Sequence, residues 1–456
     1  MKIIIVGLNQ TSKLLCDLLH KDKHEVIVID SDFQKINDIT NALPVSGVCG
    51  SVSSKSTLIS AQAETADMLF ALTNSDEANL VTVMLAKKLG TKYTVALMGE
   101  IEKASDIEYL KSEFGIDYIF NSKYLIAEQI SRLIELPSSI KVESFYSNNC
   151  AIIELLISAG SELEGLSIKE VKDYFKTDLL VVSVKRKKEI LIPDGEFSFM
   201  QDDKIGIFAS FESIEKILRK LKMYHKKTND IFIVGCGEIG EYLIPMLTGQ
   251  GKTLSILDSS LEQCKRLKEK FPDMKVSFGD GIDENVLFEE GISKTDACIA
   301  LTNADEKNLT ISMFAWTSGI KTVITKMNSF SYAKLLHEVN IERTISPEMI
   351  SLDEVIQIVR NRSVVGTEKN ISTYHKIFDS KIETIEFIIS KSFSRVDTEF
   401  KDPRFKLKKN ILIAGIIRDG KTIIPNGLST IKEGDHIIVT SLSKIKIRTP
   451  EDIFAK

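Results

Sequence analysis

The stretch Ala71-Leu72-Thr73-Asn74-Ser75-Asp76-Glu77-Ala78-Asn79-Leu80 returns as Ala300-Leu301-Thr302-Asn303-Ala304-Asp305-Glu306-Lys307-Asn308-Leu309, at an offset of 229. Outward from it, Ile3-Ile4-Ile5-Val6-Gly7 matches Ile231-Phe232-Ile233-Val234-Gly235 at an offset of 228, and Asp30 matches Asp258. Further on, Ile190-Leu191-Ile192-Pro193-Asp194-Gly195 matches Thr422-Ile423-Ile424-Pro425-Asn426-Gly427 at an offset of 232, followed by Asp203 against Asp435. Chance does not keep an offset this constant along a chain. The sequence is two copies of one unit.

Each copy divides again. In the first, apolar strand-like runs at 3–6, 26–29, 68–72 and 93–97 alternate with helix-like stretches near 10–21, 31–40, 54–61 and 75–89. Such alternation predicts βαβ units and a Rossmann-like, doubly wound parallel sheet. The first helix is expected to bury Leu14, Leu15, Leu18 and Leu19. Its counterpart carries the stripe Ile239, Tyr242, Leu243, Met246 and Leu247, interrupted by Pro245, which predicts a kink or an early fray. After about residue 140 the texture changes to short strands at turn-rich spacing. Val181 to Val184, Ile190 to Pro193 and Lys204 to Phe208 answer Leu412 to Ile417, Thr422 to Pro425 and His436 to Thr440. Arg418-Asp419-Gly420-Lys421 is a hairpin signal. The fold class is therefore α/β: two tandem Rossmann-like lobes, each followed by a small α+β lobe. The four lobes fall at about 1–136, 141–222, 229–360 and 372–450, with a polar, basic hinge from Lys222 to Asp230.

Composition sets the outer limits. The 456 residues are 43% hydrophobic and 27% charged, which suits a globular chain and not a disordered one. A net charge of −5 argues against nucleic acid as the partner. No apolar run approaches the length that spans a bilayer, and Met1 to Gly7 reads as a first strand, not as a signal peptide. The six cysteines, 16, 49, 150, 236, 264 and 298, form no metal-ligand spacing and read as small buried hydrophobes of a reducing compartment. The basic positions Lys216, Arg219, Lys220, Lys222, Lys226 and Lys227 read as a solvated helix face, and His436 as a structural histidine.

The chemistry concentrates at the strand ends. Gly235-Cys236-Gly237-Glu238-Ile239-Gly240 follows a strand, opens a helix and is answered 18 residues later by Asp258. That is the dinucleotide-binding setting: glycines for a tight turn and close approach, helix N–H groups for a pyrophosphate, an acid for ribose hydroxyls. An acid at Asp258 favours NAD or NADH, or an adenine nucleotide, over a 2′-phosphorylated cofactor. The plainer alternative is a tight turn that packs well and binds nothing. In the first copy, Gly7-Leu8-Asn9-Gln10-Thr11-Ser12 keeps only the first glycine, although Asp30 remains. Asn9 there puts a side chain near the pyrophosphate path, so a weak site and a vestigial turn are both open. The second copy also has Gly279-Asp280-Gly281 where the first has Gly50-Ser51-Val52. Thr73 and Asn74, like Thr302 and Asn303, stand at the carboxyl rim of the fourth strand, positioned to cap the next helix and line the crevice. No nucleophile elbow, H-E-x-x-H or matched histidine pair supports catalysis.

The paired A-L-T-N-x-D-E-x-N-L segments, each followed by a small lobe with an I-I-P-x-G turn, resemble the TrkA family of Trk-type potassium uptake systems over nearly the whole chain. The resemblance implies a cytoplasmic regulatory subunit, not an enzyme, lying peripherally on the membrane as a homo-oligomeric ring beneath a potassium-translocating membrane partner. It implies NAD or NADH, and possibly ATP or ADP, bound by Gly235 through Gly240, Asp258, Asp280, Thr302 and Asn303. A weaker first site would use Gly7, Leu8, Asn9, Gln10, Thr11, Asp30, Thr73 and Asn74. Family members often place an arginine after the fifth strand. Here Lys326 is the only basic substitute, and the first copy has Leu97. The competing reading is an NAD-dependent oxidoreductase with the small lobes as substrate domains, which would need an acid–base pair at the crevice.

Overall fold

The computed structural model describes all residues except 100–103, 135–140, 146–149, 224–227, 329–335, 337–340, 342, 364–370, 378–380, 446, 448 and 456. Met1–Glu135 and Lys227–Ile356 form one compact unit, while Leu136–Lys226 and Gln357–Lys456 form the other. The chain therefore groups like with like: large lobes share one unit and small lobes share the second.

The first large lobe runs β1 (Lys2–Val6), α1 (Gln10–Lys21), β2 (Glu25–Asp30), α2 (Phe33–Ala42), β3 (Ser46–Cys49), α3 (Lys55–Ser60), β4 (Met68–Ala71), α4 (Asp76–Leu89), β5 (Tyr93–Leu97), α5 (Ala104–Phe114), β6 (Tyr118–Phe120) and α6 (Ser122–Leu133). Its sheet has the order β3-β2-β1-β4-β5-β6, parallel throughout. Ile3, Ile4, Ile5 and Val6 are all fully buried, because a central parallel strand is covered on both faces. The chain reverses its winding between β1 and β4, and that switch point opens a crevice at the carboxyl ends of the strands.

The first small lobe is built from β7 (Lys141–Phe145), β8 (Cys150–Leu156), α7 (Ile168–Phe175), β9 (Leu179–Arg186), β10 (Glu189–Leu191), β11 (Lys204–Ser210) and α8 (Phe211–Lys220). The second large lobe repeats the plan with β12 (Asp230–Val234), α9 (Glu238–Gly249), β13 (Thr253–Asp258), α10 (Leu261–Lys270), β14 (Lys275–Phe278), α11 (Glu284–Glu289), β15 (Ala297–Ala300), α12 (Asp305–Thr317), β16 (Thr322–Lys326), β17 (Arg343–Ile345) and α13 (Pro347–Ser363). Its order, β14-β13-β12-β15-β16-β17, is that of the first lobe. The second small lobe adds β18 (Ile371–Ile377), β19 (Ile382–Ile388), β20 (Ile411–Arg418), β21 (Lys421–Ile423) and β22 (His436–Leu442).

The two large lobes share a core. Ile126, Ala127 and Ile130 of α6, with Ile134, pack among Ile231, Ile233, Leu243, Leu247, Leu254 and Ile256 of the second lobe. Thus α6 completes its neighbour's core. Tyr118 on β6 donates to Glu354 on α13 at 2.5 Å, a second tie between the lobes.

In the other unit the small sheets are antiparallel, ordered β10-β9-β11-β8-β7 and β18-β19-β22-β20-β21. Ile152, Val182 and Phe208 of one pack with Ile382, Ala414, Ile417 and Ile438 of the other. A Cβ at Gly415 would lie 2.2 Å from the Phe208 ring, so glycine allows that contact. The repeated Asp203 and Asp435 each take a bidentate arginine, Arg186 and Arg418, at 2.7 and 2.8 Å. Burial raises the Asp203 carboxyl, but Arg186 and the Met200 amide outweigh it and hold its pKa below the ordinary value.

Several expectations need correction. Leu14 is 40% exposed, and α1 instead buries Ser12, Leu15, Cys16 and Leu19, which form one true i, i+3, i+4, i+7 face. Helix α9 passes through Pro245 and continues to Gly249 without fraying there. Cys49 is exposed, while the other five cysteines are buried. The basic face of α8 is solvated and partly paired, Glu212 with Lys216 and Glu215 with Arg219. Lys226, Lys227 and much of the hinge lie outside the described residues. His436 pairs through Nδ1 with buried Glu386 at 2.6 Å.

Candidate functional site

The two switch-point turns start alike. Gly7 (φ +93°) and Gly235 (φ +80°) adopt a left-handed backbone, and a Cβ at either would collide with Thr73 or Thr302 at 2.7–2.8 Å. In each turn the acid at the end of the second strand pins the loop. Asp30 Oδ2 accepts the Leu8 amide at 2.7 Å, and Asp258 Oδ2 accepts the Cys236 amide at 2.8 Å. Their other oxygens accept the amides of Asp32 and Ser260, both at 2.9 Å. These carboxylates thus shape the turn, and Asp258 also lines the cavity beside it.

The copies then diverge at one position. Asn9 is the N-cap of α1, its Oδ1 accepting the Ser12 amide at 2.9 Å while Nδ2 donates to the Leu72 carbonyl at 3.0 Å. One side chain therefore spans the crevice from the helix N-terminus to the end of β4. Ser12 adds a bond from its hydroxyl to the Gly7 carbonyl at 2.6 Å. Gly237, the equivalent of Asn9, has no side-chain cap to offer α9, and an added Cβ would meet nothing within 4 Å. Helix α9 consequently directs its first N–H groups and the positive end of its dipole at open space.

That space is a cavity of about 530 Å³ lined by Gly235, Gly237, Asp258, Gly279, Asp280, Gly281, Thr302 and Asn303, among others. Its size falls within the range usual for small-molecule sites. Ser259, Ser260, Gln263 and Lys307 also line it, although none belongs to a nucleotide motif legible in the sequence. Gln263 donates to the Cys236 carbonyl at 2.7 Å, and Lys307 faces Asp280 at 3.4 Å. Only Lys307 leaves a signal, because it is where the repeated segment changes from Ala78 to a cation. Among the described lining residues there is no histidine, cysteine or tyrosine to carry a proton.

Other expected site residues serve the cavity from behind. The Cys236 side chain is buried, and burial followed by nearby Asp258 pushes its thiol pKa up. Gly240 is small because a Cβ would lie 2.0 Å from the Cys236 sulfur. Ile239 packs on the shared core. Glu238 is paired with Lys123 of α6. Lys326 is 6% exposed and reaches Asn303 Oδ1 at 3.1 Å; burial lowers its ammonium pKa against the opposing pull of Asp305. In the first lobe Leu8 is buried, Gln10 and Asn74 are exposed, and Thr11 and Thr73 are half-buried.

The repeated segment lines the cavity through Thr302 and Asn303, but it does not cap the helix as expected. The N-cap positions are Ser75 and Ala304, not the expected Thr or Asn. Buried Asn79 and Asn308 hold the rim instead. Asn308 Oδ1 accepts the Thr302 amide and hydroxyl at 2.8 and 2.7 Å, while Nδ2 donates to the Thr302 and Lys326 carbonyls at 3.0 and 2.9 Å. Asp76 and Asp305, the first residues of α4 and α12, accept the amides of Gly99 and Asn328 just beyond β5 and β16.

Comparison with known proteins agrees with this architecture. The TrkA-N domain family matches residues 3–122 and 231–347, more than half the chain, and the TrkA-C domain family matches 152–222. The chain is 28% identical over 439 residues to the Trk system potassium uptake protein TrkA homolog of Archaeoglobus fulgidus, covering 96% of this chain and 97% of that one. It is also 28% identical to TrkA of Halomonas elongata, over 100% of this chain and 98% of the relative. The crystal structure of the GsuK RCK domain shares the fold at a TM-score of 0.61 and 15% identity, covering 97% of this chain and 92% of that one. The GsuK channel bound to NAD gives the same TM-score and identity, with 97% and 77% covered.

Proposed function

Because the chain belongs to the TrkA family, we propose that it is the nucleotide-binding regulatory subunit of a Trk-type potassium uptake system, acting from the cytoplasm on a membrane potassium transporter. The family is one of potassium-uptake regulators, not of enzymes. Among the described residues no helix is long and apolar enough to cross a membrane.

The observation that carries the reading is the contrast at one position: Asn9 bonds both the N-terminus of α1 and the Leu72 carbonyl, whereas Gly237 offers no side chain to cap α9. NAD or NADH, or ADP or ATP, binds the second crevice with its phosphates on the N-terminus of α9 and its ribose on Asp258. The first crevice has become scaffold. The GsuK channel bound to NAD, of the same fold, lends support to a nucleotide there.

Regulation requires that the ligand favour one arrangement of the lobes over another, since binding both equally shifts nothing. An affinity ratio of roughly 100-fold between states supplies about 2.7 kcal/mol per site, and a homo-oligomeric ring would add several such sites. Calorimetric titration of the full chain with NADH, NAD, ADP and ATP tests binding directly. Potassium flux through the membrane partner in vesicles, with and without the bound ligand, tests gating. Absence of binding by all four would remove the basis of the proposal.

A further inference from the structure

Helix α9 meets the cavity at its N-terminus and the first lobe along its side. Gly237, its N-cap, lines the cavity, and Tyr242 lies five residues further on, about 7.5 Å along the axis. The Tyr242 hydroxyl donates to the Gly99 carbonyl at 3.2 Å and accepts from Asn121 Nδ2 at 2.9 Å, both in the first lobe. Asn121 is buried and is the N-cap of α6, its Oδ1 accepting the amides of Lys123 and Tyr124 at 2.9 and 3.1 Å. Gly99 follows β5, and its own amide is held by Asp76 at the start of α4. One hydroxyl from the second lobe therefore joins the end of β5, the cap of α6 and, through Gly99, the start of α4. The Tyr124 ring meets that of Tyr242 edge to face, with centroids 6.1 Å apart. A second tie between these helices, Lys123 with Glu238, is a surface pair whose acid is 64% exposed, and salt weakens such pairs.

We propose that Tyr242 is the positioning residue that couples the second cavity to the first lobe. An occupant of the cavity shifts the first turns of α9, and the Tyr242 hydroxyl carries that shift to the cap of α6 and the end of β5. Hydrogen bonds of 2.9–3.2 Å weaken steeply on small displacements, so this contact is sensitive to the position of α9. The inference rests on the reading that the cavity binds nucleotide, and adds the route by which binding is felt in the other lobe. The first copy cannot return the signal by the same contact. Its α1 has Leu14 at the position of Tyr242, a side chain with no polar atom, and Leu14 is 40% exposed. The coupling hydroxyl and the uncapped turn at Gly237 thus occur together, in the second copy.

Hydrogen exchange followed by mass spectrometry on the full chain, with and without NADH or ADP, tests the coupling. In the wild-type chain, nucleotide is expected to slow exchange around Gly237 and also across α6 and the end of β5. Tyr242→Phe keeps the ring and removes only the hydroxyl. In it, nucleotide binding and the slowing around Gly237 are expected to remain, while the slowing across α6 and the end of β5 is lost. Gln250→Ala is the control, since it removes the bond from Gln250 Nε2 to Ser131 Oγ at the other ends of the same two helices. A response that needs only an intact junction would fall in both variants, whereas coupling through Tyr242 leaves it in place in Gln250→Ala. Slowing confined to the second lobe of the wild-type chain would overturn the coupling and leave nucleotide binding standing. So would a first-lobe response unmoved by Tyr242→Phe, or one equally lost in Gln250→Ala. No slowing anywhere with either nucleotide would overturn both.

Discussion

At the scale of single residues, the difference between the copies reduces to the side chain two positions beyond the first glycine of each turn. In the first copy an amide side chain satisfies the helix N-terminus and locks it to Leu72; in the second there is only hydrogen. Gly237→Asn should recreate that plug. The backbone at Gly237 is extended (φ −71°, ψ −151°) and an added Cβ meets nothing, so the change is sterically free. It should alter stability by no more than a few tenths of a kcal/mol, and in the favourable direction, while lowering NADH affinity at least tenfold. Thermal unfolding and calorimetry on the same sample separate the two effects. The glycine pattern and Asp258 are legible in the sequence because their chemistry is local to the turn. That Asn9 reaches Leu72 is not, since that bond joins positions 63 residues apart. Spacing puts Cys236 and Lys326 among the expected site residues, yet both side chains are buried and neither lines the cavity.

At the scale of elements, strands and helices at the centre of each sheet are readable because a doubly covered strand is uniformly apolar and a helix repeats every 3.6 residues. Short edge strands such as Ser46–Cys49, exposed but for a half-buried Val48, leave no comparable pattern. The rim segment is recognisable by its repetition but misleading in role, because capping is the usual task of Thr and Asn, whereas here Asn79 and Asn308 cross-link two strand ends. Asn308→Ala should therefore cost about 2–4 kcal/mol, as a fully buried residue losing four hydrogen bonds. It should also weaken NADH binding, because Thr302 and Asn303 line the cavity that it fixes. Denaturant unfolding measures the first effect and titration the second.

At the scale of the molecule, duplication is legible from offsets, but the sharing of α6 between lobes is not. A helix pattern over Ser122–Leu133 would report only that a face is buried, not whose sheet buries it. Ile130→Ala should destabilise by about 2–4 kcal/mol and, since its side chain belongs to a core built by both large lobes, lower their unfolding as one transition. Calorimetric scanning that showed one lobe melting normally would contradict this. The Tyr118–Glu354 contact gives the same junction a pH signature. Burial, with a contribution from Glu128, raises the Glu354 carboxyl pKa above the ordinary value, against the lowering effect of the Tyr118 hydroxyl. The folded chain thus retains a proton that the unfolded chain releases, and stability from this group falls as pH rises from the ordinary glutamate pKa to the raised one. Glu354→Gln should lack that fall. Relative to wild type, it should gain stability on passing from acidic to neutral pH in denaturant titrations.

The binding stoichiometry of NADH on the full-length chain bears most directly on the division of labour between the copies. Isothermal calorimetry is expected to give one site per chain, weakened at least tenfold by Gly237→Asn. Two sites per chain, or one site whose affinity is unchanged in Gly237→Asn, would contradict it.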